Sequence, residues 1–225
     1  MKRYERNMTT LSLSENESLK NFKVCVVGCG GLGGYLIEML GRLGIGSITA
    51  VDGDYFDETN LNRQLLSDMA SLGVSKAMKA QERMGHVNPF IKIHAVTQRL
   101  THENAGEILQ GHHLVVDALD NIPSRVTVQN VAEDLGIPMV HGAIAGWYGQ
   151  VTTILPGDRT LDLIYPVESA KGIEQTLGNP SFTPALVASI QVSEALKILI
   201  GRGELLRKKI LYINLLDNEF ETIDL

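Results

Sequence analysis

The chain has 225 residues, of which 44% are hydrophobic and 20% charged, a composition typical of one globular domain with a sizeable core. Its formal net charge is -6 and its pI is about 5.5, and no run of Lys or Arg is interleaved with aromatic residues, so we expect no nucleic-acid partner. No uninterrupted apolar run reaches about 18 residues, and the first ten residues lack the apolar core of a signal peptide, which predicts a cytoplasmic protein without a membrane partner.

Residues 1–22 are polar, so we expect an N-terminal arm that is frayed and solvated. The apolar run from Val24 to Val27 predicts a buried strand, and a glycine-rich turn follows it. An amphipathic helix comes next, with one apolar face made by Leu36, Ile37, Leu40 and Leu43. A second apolar run ends at Asp52. This order of strand, turn, helix and strand predicts a Rossmann-type unit.

The glycine turn has the GxGxxG spacing of nucleotide-binding units. In such a unit Gly28 makes the tight turn, Gly30 lets the backbone approach a phosphate, and Gly33 lets the helix pack closely on the strand. The helix N-terminus then faces the anion, and we count Gly31 of the turn among the cofactor-binding residues. Asp52 lies about twenty residues beyond Gly33, the position at which such units bind a ribose hydroxyl. We therefore predict a bound nucleotide.

The stretch at 53–68, polar and rich in turn residues up to Leu61, is long for a connection between a strand and a helix, and long connections in compact domains tend to be functional. Beyond it, predicted helices alternate with predicted strands. Helices are predicted at about 76–86, 101–110 and 123–135, and strands at about 90–96, 114–119 and 137–142. The alternation predicts a doubly wound, mostly parallel α/β sheet, whose ligand crevice lies at the carboxyl ends of the strands.

The pattern changes after Ala143. An antiparallel strand is predicted at 147–156, a helix at 184–200, and a hairpin over 210–225 that closes the sheet, so the predicted fold is Rossmann-like with C-terminal antiparallel strands. Residues 158–182 show little apolar periodicity, which fits either an ordinary surface loop or a segment that grips substrate. We expect residues 1–225 to form a single domain.

Seven side chains form the candidate site: Asp52, Asp54, Asn60, Arg63, Gln64, Lys76 and Asp120. The two cations, Arg63 and Lys76, supply the positive charge that a triphosphate requires, whereas a dinucleotide's pyrophosphate requires less. Asp120 at a strand end could hold Mg²⁺, which prefers carboxylate and phosphate oxygens. Together these residues favour ATP over NAD.

Structural alternatives exist for several of these residues. Asp52 and Asp54 could cap a turn, and Asp120 with the following Asn could cap the next helix. Lys76 is unfavourably placed for the helix macrodipole, which favours a functional role. His141, at the end of a predicted strand, is interpreted as a hydrogen-bonded core histidine rather than as an acid or base.

Five ordered motifs resemble the ThiF/MoeB/HesA family: GCGGLGG, VDGDYFDETNLNRQ, VSKAMKA, VVDALDN and HGAIAGWYGQVT. Members of that family adenylate the C-terminal glycine of ubiquitin-like sulfur carriers in thiamine and molybdopterin synthesis. The resemblance covers about residues 22–155 and continues from 183 onward. It implies that Asp52 binds the ribose, that Asn60, Arg63 and Gln64 bind the phosphates and the adenylate, that Lys76 binds the phosphates, and that Asp120 binds Mg²⁺.

The segment RYERN at 3–7 resembles the family's RYxRQ, which implies that Arg6 is a catalytic finger acting in trans within a homodimer. Many family members carry two CxxC pairs for zinc, and some carry a cysteine in the crossover loop. The two cysteines here, Cys25 and Cys29, match neither pattern. We therefore expect no zinc, and a reaction that stops at the acyl adenylate.

The leading hypothesis is an ATP-dependent adenylyltransferase for a carrier ending in Gly-Gly, with Arg63, Lys76, Asp120 and Arg6 as its catalytic residues. One alternative is a tRNA-modifying, ATP-dependent dehydratase of the same superfamily, although the acidic net charge argues against tRNA binding. Another is a catalytically silent nucleotide-binding scaffold subunit. An NAD-linked dehydrogenase would fit the glycine turn but leaves the TNLNRQ segment unexplained.

Overall fold

A computed structural model describes residues 2–166 and 176–225 of the chain. Its strands are β1 (Lys23–Val27), β2 (Ser47–Val51), β3 (Lys92–Val96), β4 (Leu114–Asp117), β5 (Met139–Ala145), β6 (Tyr148–Ile154), β7 (Lys209–Asn214) and β8 (Glu219–Asp224). They form one eight-stranded sheet in the order β3-β2-β1-β4-β5-β6-β7-β8. The first five strands pair in parallel and the last three are added antiparallel, which confirms the predicted sheet.

The α-helices of the described ranges are α1 (Leu13–Ser18), α2 (Gly31–Leu43), α3 (Lys76–Val87), α4 (His102–Leu109), α5 (Ile122–Asp134), α6 (Thr160–Ile164) and α7 (Phe182–Ile200). One hydrophobic cluster joins α2, α3 and α7 to one face of the sheet, and a second joins α4, α5 and α6 to the other. The sheet is therefore covered on both faces along its parallel part.

Strand β1 shows how this arrangement follows from the sequence. Successive side chains of a strand point to opposite faces, so Val24 and Val26 enter the first cluster while Cys25 and Val27 enter the second. All four side chains are buried. A strand that is buried on both faces needs an uninterrupted apolar run rather than alternation, which is what residues 24–27 provide.

The chain leaves β1 for β2 and β3 on one side and then returns to β4 on the other side of β1. The direction of winding therefore reverses between β1 and β4. Loops that leave the carboxyl ends of these two strands diverge to opposite faces, so they leave a crevice at this point of the sheet. The crevice is bounded by the turns after Val27, Val51 and Asp117.

The glycine turn at the top of β1 depends on two residues without side chains. Gly28 has a φ of 101°, in the left-handed region that favours glycine. A Cβ at Gly33 would lie 1.8 Å from the carbonyl oxygen of Gly28. The start of α2 thus packs directly on the turn, and a side chain at position 33 would separate them.

Replacing Gly33 with Ala is therefore expected to lower the free energy of unfolding by about 1–3 kcal/mol or more, because backbone must move to admit the methyl group. Gly85 is the matched control, since it lies exposed inside α3 and a Cβ added there would have no heavy atom within 4 Å. Gly85→Ala should instead raise stability by about 0.5–1 kcal/mol through helix propensity. Urea denaturation of both variants checks this, and equal stability of the two would contradict it.

The N-terminal arm differs from the expectation of a frayed terminus. Residues Lys2–Asn7 form a 3-10 helix, and α1 begins with a capping box in which Ser12 and Glu15 exchange hydrogen bonds. The side-chain nitrogen of Asn88 donates to the Tyr4 hydroxyl at 2.8 Å, and the Tyr4 ring fills the space beside Gly44. This aromatic anchor holds the arm, a long-range contact that its polar composition does not reveal.

Helix α7 is long and apolar enough to cross a membrane by length and composition alone. Half of its apolar window is buried inside the structure, where the helix packs against α2, β5 and β6.

Within the stretch at 158–182, which was predicted to be irregular, residues Thr160–Ile164 form α6. Residues 167–175 of that stretch lie outside the described part of the chain.

Candidate active site

A cavity of about 570 Å³ opens in the crevice at the carboxyl ends of β1, β2 and β4. Its walls include most of the predicted nucleotide-binding residues: Gly28, Gly30, Gly31, Asp52, Asp54, Arg63, Gln64, Lys76 and Asp120. The structure thus brings together residues that are separated by up to 92 positions in the chain. Their convergence is the principal geometric result for the site.

Asp52 is fixed at the end of β2 by the backbone. Its Oδ2 accepts a hydrogen bond from the Cys29 N–H at 2.7 Å, and its Oδ1 accepts one from the Asp54 N–H at 2.8 Å. Burial raises the pKa of Asp52, an effect that these two donors and the Lys76 charge partly offset. Each carboxylate oxygen keeps a further lone pair, so Asp52 can still accept a hydrogen bond from a ligand hydroxyl.

Lys76 is the first residue of α3 and is almost fully buried, with 8% of its surface exposed. Its Nζ lies 3.6 Å from Asp54 Oδ2, and its backbone N–H donates to the Asp54 carbonyl at 3.0 Å. Arg99 Nη2 contacts the other Asp54 oxygen at 2.8 Å. Asp54 therefore offsets the unfavourable position of a cation at a helix N-terminus, and it aligns two cations along one wall of the cavity.

The connection before α3 places Arg63 and Gln64 beside the glycine turn. Arg63 Nη1 donates to the Thr59 carbonyl and to Asn62 Oδ1, both at 2.9 Å. The Gln64 side chain packs against Gly30, and its buried Oε1 has no hydrogen-bond partner in the part of the chain that the structure describes. An unsatisfied buried acceptor in a polar cavity is expected where a ligand or water completes the hydrogen bonding.

Asn60 and Gly33 were predicted at the same site, but neither lines the cavity. Asn60 is buried below the wall, and its Oδ1 accepts the Asp57 N–H at 3.2 Å in a capping box. Gly33 contacts the glycine turn rather than the cavity. Their observed contacts are structural, so a direct contact of Asn60 with a nucleotide stays a prediction.

Strand β4 ends at Asp117, earlier than the predicted end at Leu119. The reason is local, because Asp117 Oδ1 accepts the Leu119 N–H at 2.8 Å and turns the backbone out of the sheet. Asn121, not Asp120, caps α5, since its Oδ1 accepts the Ser124 N–H at 2.9 Å. The exposed Asp120 carboxylate is therefore left to face the cavity, with Asn121 Nδ2 at 3.3 Å from its Oδ1.

The donor set fits Mg²⁺ bound jointly by protein and nucleotide. Among the described residues no group of three or more His, Cys, Asp or Glu side chains could hold a metal ion by itself. Mg²⁺ usually takes only one or two carboxylates and completes its shell with water and phosphate oxygens. One carboxylate, Asp120, beside a cavity lined by Arg63 and Lys76 suits that mode of binding.

His141 is fully buried, with its Nδ1 at 2.6 Å from Asp117 Oδ2. Burial lowers the pKa of His141 although the neighbouring Asp117 acts in the opposite direction. The residue does not line the cavity, in line with the interpretation as a hydrogen-bonded core histidine.

Arg6 lies near the amino ends of the parallel strands, whereas the cavity of its own chain lies at their carboxyl ends. The 3-10 helix that contains it packs where α2 and α3 end, near Gly44 and Asn88, and these helices return the chain to the amino ends of β2 and β3. Arg6 itself is exposed. A role at the cavity would therefore require a second copy of the chain.

Sequence reasoning missed two cations at this site. Arg99 follows the carboxyl end of β3, so its position after a strand and before the Thr101 cap was a signal that could have found it. Arg125 also lines the cavity, but it is almost fully buried on the inner face of α5, where its neighbours in the sequence include the apolar Ile122 and Val126. Only the folded structure shows that Arg125 belongs to the site.

The family model described as the ThiF family matches residues 4–225. The chain belongs to the ThiF family. Two similar relatives agree with this assignment. The sulfur carrier protein adenylyltransferase of Thermus thermophilus is 36% identical, with 98% of this chain and 86% of that protein covered. The SAMP-activating enzyme E1 of Haloferax volcanii is 35% identical, with 91% of this chain and 77% of that protein covered.

Solved structures show the same fold at lower identity. A crystal structure of E. coli MccB with ATP gives a TM-score of 0.84 at 19% identity, covering 100% of this chain and 71% of that chain. The E. coli tRNA N6-threonylcarbamoyladenosine dehydratase TcdA in complex with ATP gives 0.76 at 23% identity, covering 89% of this chain and 94% of that chain. These two likenesses establish the ThiF-type fold and no more.

Proposed function

We propose that the chain is an ATP-dependent adenylyltransferase that activates the C-terminal glycine carboxylate of a ubiquitin-like sulfur carrier of the ThiS or MoaD type. The observation that carries the proposal is the convergence of Arg63, Lys76 and Asp120 on one cavity beside the Gly28 turn. The relatives named adenylyltransferases support the same reaction class. The products are the carrier acyl adenylate and pyrophosphate, in thiamine or molybdopterin synthesis.

The reaction needs no general base of unusual pKa. A C-terminal carboxylate is ionised at neutral pH, so its oxygen can attack the α-phosphorus while pyrophosphate departs in line. The protein aligns the two reactants and neutralises charge, through Arg63 and Lys76 at the phosphates and Asp52 at the ribose. Mg²⁺ held by Asp120 would neutralise further charge on the phosphate oxygens.

The net charge favours this reaction over the dehydratase alternative. Binding of tRNA requires a basic surface, and the chain carries a net charge of -6. A silent scaffold subunit would not need Arg63, Lys76 and Asp120 together at one cavity. We therefore favour the adenylyltransferase over both alternatives, and we propose that it acts in the cytoplasm.

The proposal is tested by measuring pyrophosphate release from ATP with purified small proteins that end in Gly-Gly. Release should depend on the carrier and disappear when its last glycine is deleted, because the attacking carboxylate is then misplaced. ATP binding without release for any such carrier would favour the scaffold subunit. Release that depends on tRNA would favour the dehydratase.

The proposed homodimer gives Arg6 a specific test. If Arg6 acts in trans, Arg6→Ala and Lys76→Met each inactivate both sites of their own dimers. After subunit exchange, half of the dimers are mixed, and each mixed dimer has one complete site, so about a quarter of wild-type activity should return. The measurement is carrier-dependent pyrophosphate release before and after mixing. Return of no activity, with exchange verified by differently tagged subunits, would show that Arg6 does not complete a partner's site.

A further inference from the structure

Behind the turn that bears Asp120 lies a buried polar cluster, which consists of Asp117, Arg125, His141, Gln150 and Tyr165. Asp117 and His141 are fully buried, and Arg125 is 3% exposed. The cluster draws on β4, β5, β6, α5 and the residue after α6. Most of its members lie outside the cavity wall, so they can affect a bound ligand only through other residues.

The cluster holds both backbone groups of Leu119, the residue before Asp120. Asp117 Oδ1 accepts the Leu119 N–H at 2.8 Å. Arg125 donates to the Leu119 carbonyl from Nε at 3.2 Å and from Nη2 at 2.8 Å. The direction in which the chain enters residue 120 is therefore fixed by two buried side chains of opposite charge.

The Tyr165 hydroxyl is the centre of the cluster. Arg125 Nη1 lies 3.0 Å from it, Gln150 Nε2 2.8 Å and His141 Nε2 3.2 Å. The guanidinium and amide nitrogens can only donate, so the hydroxyl accepts from both and donates its own hydrogen to His141 Nε2. The His141 hydrogen is then on Nδ1, and it is donated to Asp117 Oδ2 at 2.6 Å.

We propose that Tyr165 is a positioning residue for Asp120, because its hydroxyl orients Arg125 directly and Asp117 through His141, and these two side chains hold Leu119. The inference deepens the proposed function, in which Asp120 holds Mg²⁺ with the nucleotide. Residues behind a metal ligand that fix its orientation commonly change metal affinity about 10- to 100-fold when they are replaced. Tyr165→Phe keeps the ring and removes only the hydroxyl.

The test measures Mn²⁺ binding, by titration in the presence of an ATP analogue that cannot be cleaved. Tyr165→Phe should weaken Mn²⁺ binding about tenfold or more, while metal-free binding of the analogue stays as in the wild-type protein. Thr49→Val is the matched control. Thr49 lies on β2, and its buried hydroxyl contacts His112 Nε2 at 2.8 Å. The Mn²⁺ affinity of this variant should equal that of the wild-type protein.

A second variant covers the case in which Tyr165→Phe does not fold. Gln150→Met is close in size and removes one donor to the hydroxyl, so it should weaken Mn²⁺ binding in the same direction. A folded Tyr165→Phe variant, or failing that a folded Gln150→Met variant, with wild-type Mn²⁺ affinity would overturn the inference. If the wild-type protein releases pyrophosphate with a carrier, the proposed function stands regardless. Absence of that release, with the Mn²⁺ difference intact, would overturn the proposed function alone.

Discussion

Asp120→Asn should lower the rate of carrier-dependent pyrophosphate release about 100- to 1,000-fold, the usual effect of removing one charge-stabilising contact from a transition state. The substitution keeps the shape of the side chain but removes the charge that would hold Mg²⁺. The cap of α5 is made by Asn121, so the helix should stay intact. Steady-state kinetics and thermal unfolding of the same sample measure the two effects separately.

Asp134→Asn provides the control for this variant, since Asp134 is exposed at the other end of α5, away from the cavity. We expect it to retain wild-type activity and stability. The role assigned to Asp120 would be wrong if Asp120→Asn, correctly folded, kept more than about a tenth of wild-type activity.

Lys76→Met should reduce activity by a similar factor of about 100 to 1,000, because it deletes a positioned cation from the phosphate side of the cavity. Asp54 would keep its contact with Arg99 at 2.8 Å, so the variant should remain folded. Lys79 lies one turn further along α3, where it pairs with Asp68 and Glu82 rather than lining the cavity.

Lys76→Met and Lys79→Met therefore each remove one positive charge from the same helix, at two different positions. Only the first should affect pyrophosphate release, and the second should change it less than about twofold, because Lys79 pairs with two exposed carboxylates outside the cavity. Equal activity of the two variants, each checked for folding by circular dichroism, would show that net charge rather than position at the cavity matters.

The parallel core could be predicted because its sequence signals are local. The run at 24–27, the glycine turn and Asp52 specify β1, the start of α2 and the end of β2 without reference to distant residues. Lys76 was found for the same reason, since Ser75 marks the start of α3 and caps it by accepting the Met78 N–H. Hydrophobic periodicity and capping residues are sufficient to predict a helix or strand whose boundaries are set by its own sequence.

Boundaries were less accurate where a side chain redirects the backbone. Leu119 extends the apolar run of β4 in the sequence, but the Asp117 carboxylate ends the strand by accepting its N–H. Similarly, the strand predicted from Phe90 begins at Lys92, since the Phe90 N–H points to Asn88 Oδ1 at 3.4 Å. Side-chain hydrogen bonds of Asp and Asn compete with the sheet in ways that composition does not show.

Contacts between distant segments were not predicted from the sequence. Tyr165 follows α6 and reaches Arg125 and His141, which are 40 and 24 positions earlier in the chain. The Tyr4 anchor likewise meets Asn88 across 84 positions. No local periodicity or spacing of residues predicts such pairs, so the buried polar cluster behind Asp120 is evident only in the folded chain.

The most direct measurement follows the label of ATP into the carrier. After a single turnover with α-phosphate-labelled ATP and a Gly-Gly carrier, rapid denaturation should yield a labelled carrier whose label is released by hydroxylamine, as expected of an acyl adenylate. ATP labelled at the γ-phosphate should give an unlabelled carrier and labelled pyrophosphate. A carrier labelled from the γ-phosphate, or from neither nucleotide, would contradict an adenylation site built from Arg63, Lys76 and Asp120.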